Sequence, residues 1–386
     1  MKSDAGTKRL ERASRVVRRA TSVAVIVLTA GCSAAPNQPV SRPSATATPI
    51  IASAPNCDVR VGERQAVLQT SERRALNLTY WPDGTMGVLK DGAKYRFIAP
   101  GGALSSGSGG LNETVGSLDR PAATSVRTLI QIEALKTPYD YAAGGPVYRD
   151  PQSGRLLLFY HAETWPGGDS MRFYSVIGLA TSTDGGQRWQ DLGPIVAPEA
   201  LLGMQPAEVA TGAFLVIGTY FYVYFRDTRS SGDQINFAVA RARVHDVLSA
   251  AASGKVVAWA KYYLGSWEQP GLGGRSSALE SGNPVINWFD VSYNSHLRRY
   301  LMAASSWVGP GPRDLALYLL FSDDGLIWGD RRLLASESGE NFYPTLVGLG
   351  EDPHETGDQF YLYYVYSASG GDRWSDAVLM RRLISC

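Results

Sequence analysis

Histidine is scarce in this chain, and cysteine scarcer: four and three residues among 386. His161, His245, His296 and His354 are scattered without the short spacings at which zinc ligands recur, so no dedicated metal site is expected. An excess of charge of one sign is also missing, since 37 lysines and arginines meet 36 aspartates and glutamates, a net charge of +1. That balance supplies no electrostatic reason to expect nucleic acid or an anionic lipid surface as a partner. No Gly-x-Ser-x-Gly nucleophile elbow occurs. The glycine-rich stretch GGALSSGSGG (101–110) has no lysine and reads as a flexible surface loop rather than a phosphate cradle. Helical spacing is almost absent, and a helix is placed only near His245 to Ala252.

What the N-terminus does contain is an export signal. Arg9, Arg12, Arg15, Arg18 and Arg19 precede an apolar run, Val23 to Leu28, that is too short to cross a bilayer. The adjacent Arg18-Arg19 are not followed by residues that fit twin-arginine export. The run ends in Leu28-Thr29-Ala30-Gly31-Cys32, which resembles the bacterial lipobox. That resemblance implies removal of residues 1–31 and a lipid on Cys32, anchoring the protein to the extracytoplasmic side of the cell envelope; the alternative is an ordinary secretory signal cut nearby. Residues 32–56 are mostly Ala, Pro, Ser and Thr, too poor in large apolar side chains to offset ordering entropy, and read as a tether. Residues 57–386 remain as one folded domain. Cys57 and Cys386 stand at its two ends, where a disulfide is permitted outside the cytoplasm if the fold brings the termini together; otherwise both stay unpaired.

Within that domain one pattern recurs. TMGVLKDGAKYRFIA, GPVYRDPQSGRLLLFYHAE, GAFLVIGTYFYVYFRD, FDVSYNSHLRRYLMAAS and PTLVGLGEDPHETGDQFYLYYVYS each combine an apolar or alternating run, a turn and an aromatic-rich β run. A further strand follows the last four: RFYSVIGLATS, INFAVARAR, LALYLLFS and AVLMRRLIS. Repeated antiparallel sheets at a spacing of roughly sixty residues are the signature of an all-β propeller, here with five blades. Ring closure places the first and last strands side by side, which accounts for a Cys57–Cys386 staple. A two-sheet sandwich is the alternative, but it leaves the five similar units unexplained.

Two compact motifs sit after third strands: STDGGQRW, with Ser182, Asp184, Gly186 and Trp189, and SDDGLIW, with Ser322, Asp324, Gly325 and Trp328. They resemble the Asp-box of sialidases and other sugar-processing propellers. The resemblance implies a structural role, in which hydroxyl and carboxylate cap a tight turn and tryptophan plugs the space between sheets. Sialidase activity itself is not expected, because no Arg-Ile-Pro motif opens the domain and the blade count is five.

Residues at the head of each first strand and the tail of each second converge at one end of a propeller's channel. They are Asp83 in the first unit, Asp140, Tyr141, His161 and Glu163 in the second, and Glu208, Arg226 and Asp227 in the third. Asp290 and Trp307 follow in the fourth, and Glu340, Asn341 and Tyr343 in the fifth. Carboxylates in every unit are what glycoside cleavage needs, one to protonate the leaving oxygen and one to activate water or attack the anomeric carbon. Aromatic rings beside them offer a flat apolar face to a sugar. The stretch WPDGTMGVLKDGAKYRF resembles the first-blade strand pair of five-bladed furanosidase-type glycoside hydrolases, families 43 and 32. That likeness implies an O-glycosyl hydrolase, with Asp83 at the catalytic position of the first inner strand, Glu208 as general acid and Asp290 as the orienting aspartate. It departs from those families in having Gly84 after Asp83 rather than proline, and in the place of Arg149-Asp150-Pro151. That triplet falls in a hairpin turn, so Asp150 is expected to form the turn.

For several of these residues a structural role is also open. Asp83 precedes a glycine in what could be a plain turn, and Glu208 follows Pro206 in a loop. His161 and Glu163 alternate, so they face the same way, either toward substrate or as an ion pair. Asp290 is a charge amid apolar neighbours on an inner strand, costly unless it serves a site or a structural hydrogen bond. No cofactor is implied, although so many carboxylates are compatible with a structural calcium ion in the channel. The expected partner is an extracytoplasmic polysaccharide or oligosaccharide, furanoside or envelope glycan; a non-catalytic carbohydrate- or protein-binding propeller is the rival.

Overall fold

The computed structural model describes residues 57–386, apart from positions 79, 134, 135 and 138 and the segments 102–108, 124–127, 169–172, 200–206, 229–235, 281–284, 309–314 and 369–372. The expected signal peptide, the expected lipidation site Cys32 and the expected tether lie outside the described residues. The domain is an all-β propeller of five blades, and each hairpin read from the sequence is the inner strand pair of one blade.

Blade one is Gly87–Asp91, Lys94–Ala99, Gly109–Gly116 and Thr128–Glu133; blade two is Tyr141–Arg149, Leu156–Thr164, Tyr174–Ser182 and Trp189–Val196. Their outermost strands pair in parallel, Trp189 with Ile132, so the two blades share one sheet. Blade three comprises Val209–Ile217, Tyr220–Asp227, Asn236–Arg243, Ala260–Tyr263 and Ser266–Pro270, with the helix Val244–Ala252 inserted near its expected place. Blade four is Ile286–Asn294, Arg299–Trp307, Leu315–Ser322 and Gly329–Ala335.

Blade five is composite. Glu340–Gly348, Gln359–Ser367 and Val378–Ser385 come from the C-terminus, and the N-terminal strands Gln65–Leu68 and Arg60–Val61 add antiparallel to Val378–Ser385. The ring therefore closes by hydrogen bonding between chain ends, and the Cys57–Cys386 disulfide locks it across 329 residues of sequence.

The core is divided among the interfaces between blades, one apolar cluster at each. Alternation explains this, because a blade's two faces both meet neighbours and both carry aromatic or branched side chains. Phe159 of blade two stacks on Phe214 of blade three at 4.9 Å, and Phe237 of blade three meets Phe289 of blade four at 4.8 Å. At the axis the backbones approach so closely that a Cβ on Gly145 would come within 2.1 Å of the Thr85 carbonyl oxygen, which only glycine tolerates.

The two rim motifs form hydrogen-bonded turns. Ser182 Oγ donates to Asp184 Oδ1 at 2.8 Å, and Asp184 Oδ1 accepts the N–H groups of Gln187 and Arg188 at 3.0 Å. Asp324 Oδ1 accepts from Leu326 and Ile327 at 2.8 Å, and the partner tryptophans, Trp189 and Trp328, are buried. Asp150 accepts from the N–H groups of Gln152 and Ser153 and holds its hairpin turn.

Candidate active site

Four of the five inner strands break register at the same end of the channel. The irregularities fall between Gly144 and Val147, Thr211 and Ala213, Ile286 and Trp288, and Phe342 and Thr345. A bulge re-aims side chains that would otherwise follow the alternation. Two bulge residues, Thr211 (φ 90°) and Tyr343 (φ 53°), hold left-handed backbone conformations that for non-glycine residues are costly and gather at functional sites.

The bulges surround a cavity of about 120 Å³, lined by Asp83, Tyr141, His161, Glu163, Glu208 and Tyr343 among the expected residues, and also by Thr85, Pro146, Thr211 and Trp288. Burial pushes the Asp83 carboxyl up to about 7, the negative charge of Glu163 acts in the same direction, and a 2.9 Å hydrogen bond from Tyr343 Oη opposes both. His161 Nε2 lies 2.9 Å from Glu163 Oε1, and Trp165 Nε1 donates to Glu163 Oε2 at 2.6 Å. Burial acts against charge on both members of this pair, but their mutual bond wins: His161 is raised above its ordinary value and Glu163 lowered below its own. Glu208 is bonded to the Arg226 guanidinium, which also bonds Asn287 and lies 5.9 Å from the centre of the Trp288 ring. The pocket thus holds one carboxyl pushed up to about 7, one glutamate bonded to a histidine and one glutamate bonded to an arginine.

Some expected residues are elsewhere. Asp290 does not line this pocket; it faces a separate void of about 10 Å³ with Met86, Val147, Leu346 and His354, and its Oδ2 accepts the N–H of Leu346 at 2.8 Å. The reason is the rise of the strand: two residues beyond Trp288 is ~6.6 Å further down the channel, on the same face but below the pocket. Asp140 accepts the N–H of Trp165 at 2.6 Å, and so fixes the strand end that carries Glu163 without lining the cavity. Arg226 does not line the cavity itself but stands behind it, against Glu208 and the Trp288 ring. Trp307 packs into the apolar cluster between blades five and one. Among the described residues no group of three or more His, Cys, Asp or Glu is disposed to hold a metal ion.

No protein-family model matches the chain. No curated protein sequence matches it either. Among solved structures it is similar to the catalytic domain of the GH62 α-L-arabinofuranosidase of Coprinopsis cinerea, at 12% identity over 83% of this chain and 95% of that one, with a TM-score of 0.48. A protein of unknown function from Dyadobacter fermentans gives 13% identity, coverage of 78% and 76%, and a TM-score of 0.49. The GH93 α-L-arabinofuranosidase of Fusarium graminearum gives 9%, 86% and 96%, and 0.44.

Sequence reasoning missed Trp288 and Thr211. Trp288 shares the parity of Asp290 in NWFDV and was legible by alternation. Thr211 was not, because it owes its place to a bulge. Its Oγ1 is buried with no hydrogen-bond partner, as is Nδ1 of His161.

Proposed function

We propose that this propeller is a glycoside hydrolase acting on an oligosaccharide or polysaccharide at the bulge-lined pocket. Asp83 serves as general acid, and Glu208 as the carboxylate that activates water or attacks the anomeric carbon. The observation that carries the reading is one cavity in which Asp83 keeps its proton to about pH 7 while Glu208 is neutralised by Arg226. A carboxyl that keeps its proton, sharing a pocket with a glutamate bonded to an arginine, supplies the two groups that glycoside cleavage requires. The roles are the reverse of those implied by likeness to the furanosidase families, and rest on this pocket's own electrostatics. His161 and Glu163 are hydrogen-bonded to each other beside Asp83, and Trp288 with Tyr343 offers aromatic faces for a sugar ring.

The N-terminal signal supports an extracytoplasmic location at a bacterial envelope, with a lipid on Cys32 and the tether leading to the propeller. The Cys57–Cys386 disulfide accords with that compartment.

The test is release of reducing sugar from arabinans, fructans, xylans and envelope glycans by the wild-type protein beside Asp83→Asn and Glu208→Gln. Hydrolysis by the wild type, reduced ~100-fold or more in each variant, is the expected result. One observation favours a second reading: Glu163 and Glu208 are both engaged in ion pairs, as in a non-catalytic sugar-binding module. Glycan binding without any sugar release establishes that reading instead.

A further inference from the structure

An aromatic path leads out of the pocket along blade five. Trp288 and Tyr343 line the cavity, with ring centres 5.0 Å apart. Tyr343 lies nearly parallel to Trp374 at 6.4 Å and 21°, and Trp374 meets Tyr80 edge-on at 5.8 Å. The path ends at the surface: Tyr80 is 40% exposed, whereas Trp81 beside it is 1% exposed. A lone exposed tyrosine needs no explanation. This one continues the aromatic lining of the pocket, and it stands three residues before Asp83, so one short segment places both.

The far end of the path is held in place. Arg73, on the short helix Thr70–Ala75, is almost fully buried, its guanidinium lies 5.5 Å from the Trp374 ring centre, and its Nη2 donates to the Trp374 carbonyl at 2.7 Å. Its Nη1 donates to the Leu78 carbonyl at 3.2 Å, two residues from Tyr80. One arginine therefore braces both sides of the Tyr80–Trp374 pair. Rings fixed before binding lose little freedom when a sugar face settles on them.

We infer that Tyr80 and Trp374 form a second sugar subsite, and that the substrate is a chain whose next unit stacks there while its neighbour occupies the pocket. The inference rests on the proposed function for the identity of the pocket's occupant, and adds the requirement for an oligomer.

The experiment compares p-nitrophenyl arabinofuranoside, which carries one sugar, with arabinotriose, using the wild type, Tyr80→Ala and Tyr80→Phe. Loss of one stacking face is expected to lower the ratio of kcat/KM for arabinotriose to that for the aryl furanoside ~3- to 10-fold, through KM, and phenylalanine is expected to restore it. An unchanged ratio in Tyr80→Ala overturns the subsite and leaves the hydrolase standing. If the wild type hydrolyses neither compound, calorimetric titration with arabinotriose decides. Affinity that weakens in Tyr80→Ala keeps the subsite and removes the hydrolase, and absence of binding by the wild type overturns both.

Discussion

Asp290→Asn is expected to stabilise the protein at neutral and alkaline pH, by an amount set by the burial of this side chain. Asp290 is 5% exposed, no lysine or arginine among the described residues lines its void, and burial pushes its carboxyl from 3.8 to about 7 despite hydrogen bonds from the N–H groups of Leu346 and Val291. At ~1.36 kcal/mol per pH unit, a rise of that size corresponds to about 4 kcal/mol. The sign follows from proton uptake. Between the two values the folded state keeps a proton that the unfolded chain has released, so wild-type stability declines as pH rises from near 3.8 and the loss is complete a little above 7. Asparagine cannot ionise, yet still offers an oxygen to Leu346. His354 faces the same void, and burial lowers its pKa, so its effect has the opposite sign; being common to both proteins, it enters their difference only through contact with the substituted side chain. Urea denaturation at pH 4 and pH 8, followed by tryptophan fluorescence, should show the stability of the variant relative to wild type rising by ~4 kcal/mol between the two conditions. Curves that stay parallel refute the reasoning.

Replacing both Cys57 and Cys386 by serine should lower stability by ~2–5 kcal/mol without unmaking the ring, since Gln65–Leu68 still pairs with Val378–Ser385; a melting temperature equal to that of the wild type would show the staple to be idle. Arg226→Met deprives Glu208 of its partner and should reduce kcat/KM ~10- to 100-fold; full activity in this variant would remove Arg226 from the site.

The fold was readable because its grammar is local. Each blade announces itself as two alternating runs around a turn, and the need for a ring to close explains cysteines at both chain ends. The contribution of Gln65–Leu68 to the last blade was hidden, since a four-residue edge strand pairs with a partner more than 300 residues away and carries no periodic signal of its own. Counting inward from strand ends grouped Asp83, Glu208 and the His161–Glu163 pair, which line one pocket, with Asp290, which lies below it, because strand position determines depth along the channel as well as facing direction. Thr211 could not be found that way, because a bulge abolishes the register on which counting depends.

The central claim is that Asp83 delivers a proton to the leaving oxygen, and the pH dependence of kcat/KM on a cleaved glycan tests it most directly. Since Asp83 must be protonated to act and burial sets its value at about 7, kcat/KM should decline about tenfold per pH unit above that value. A rate that climbs through pH 7 to a plateau would make Asp83 a base, and the assignment would be contradicted.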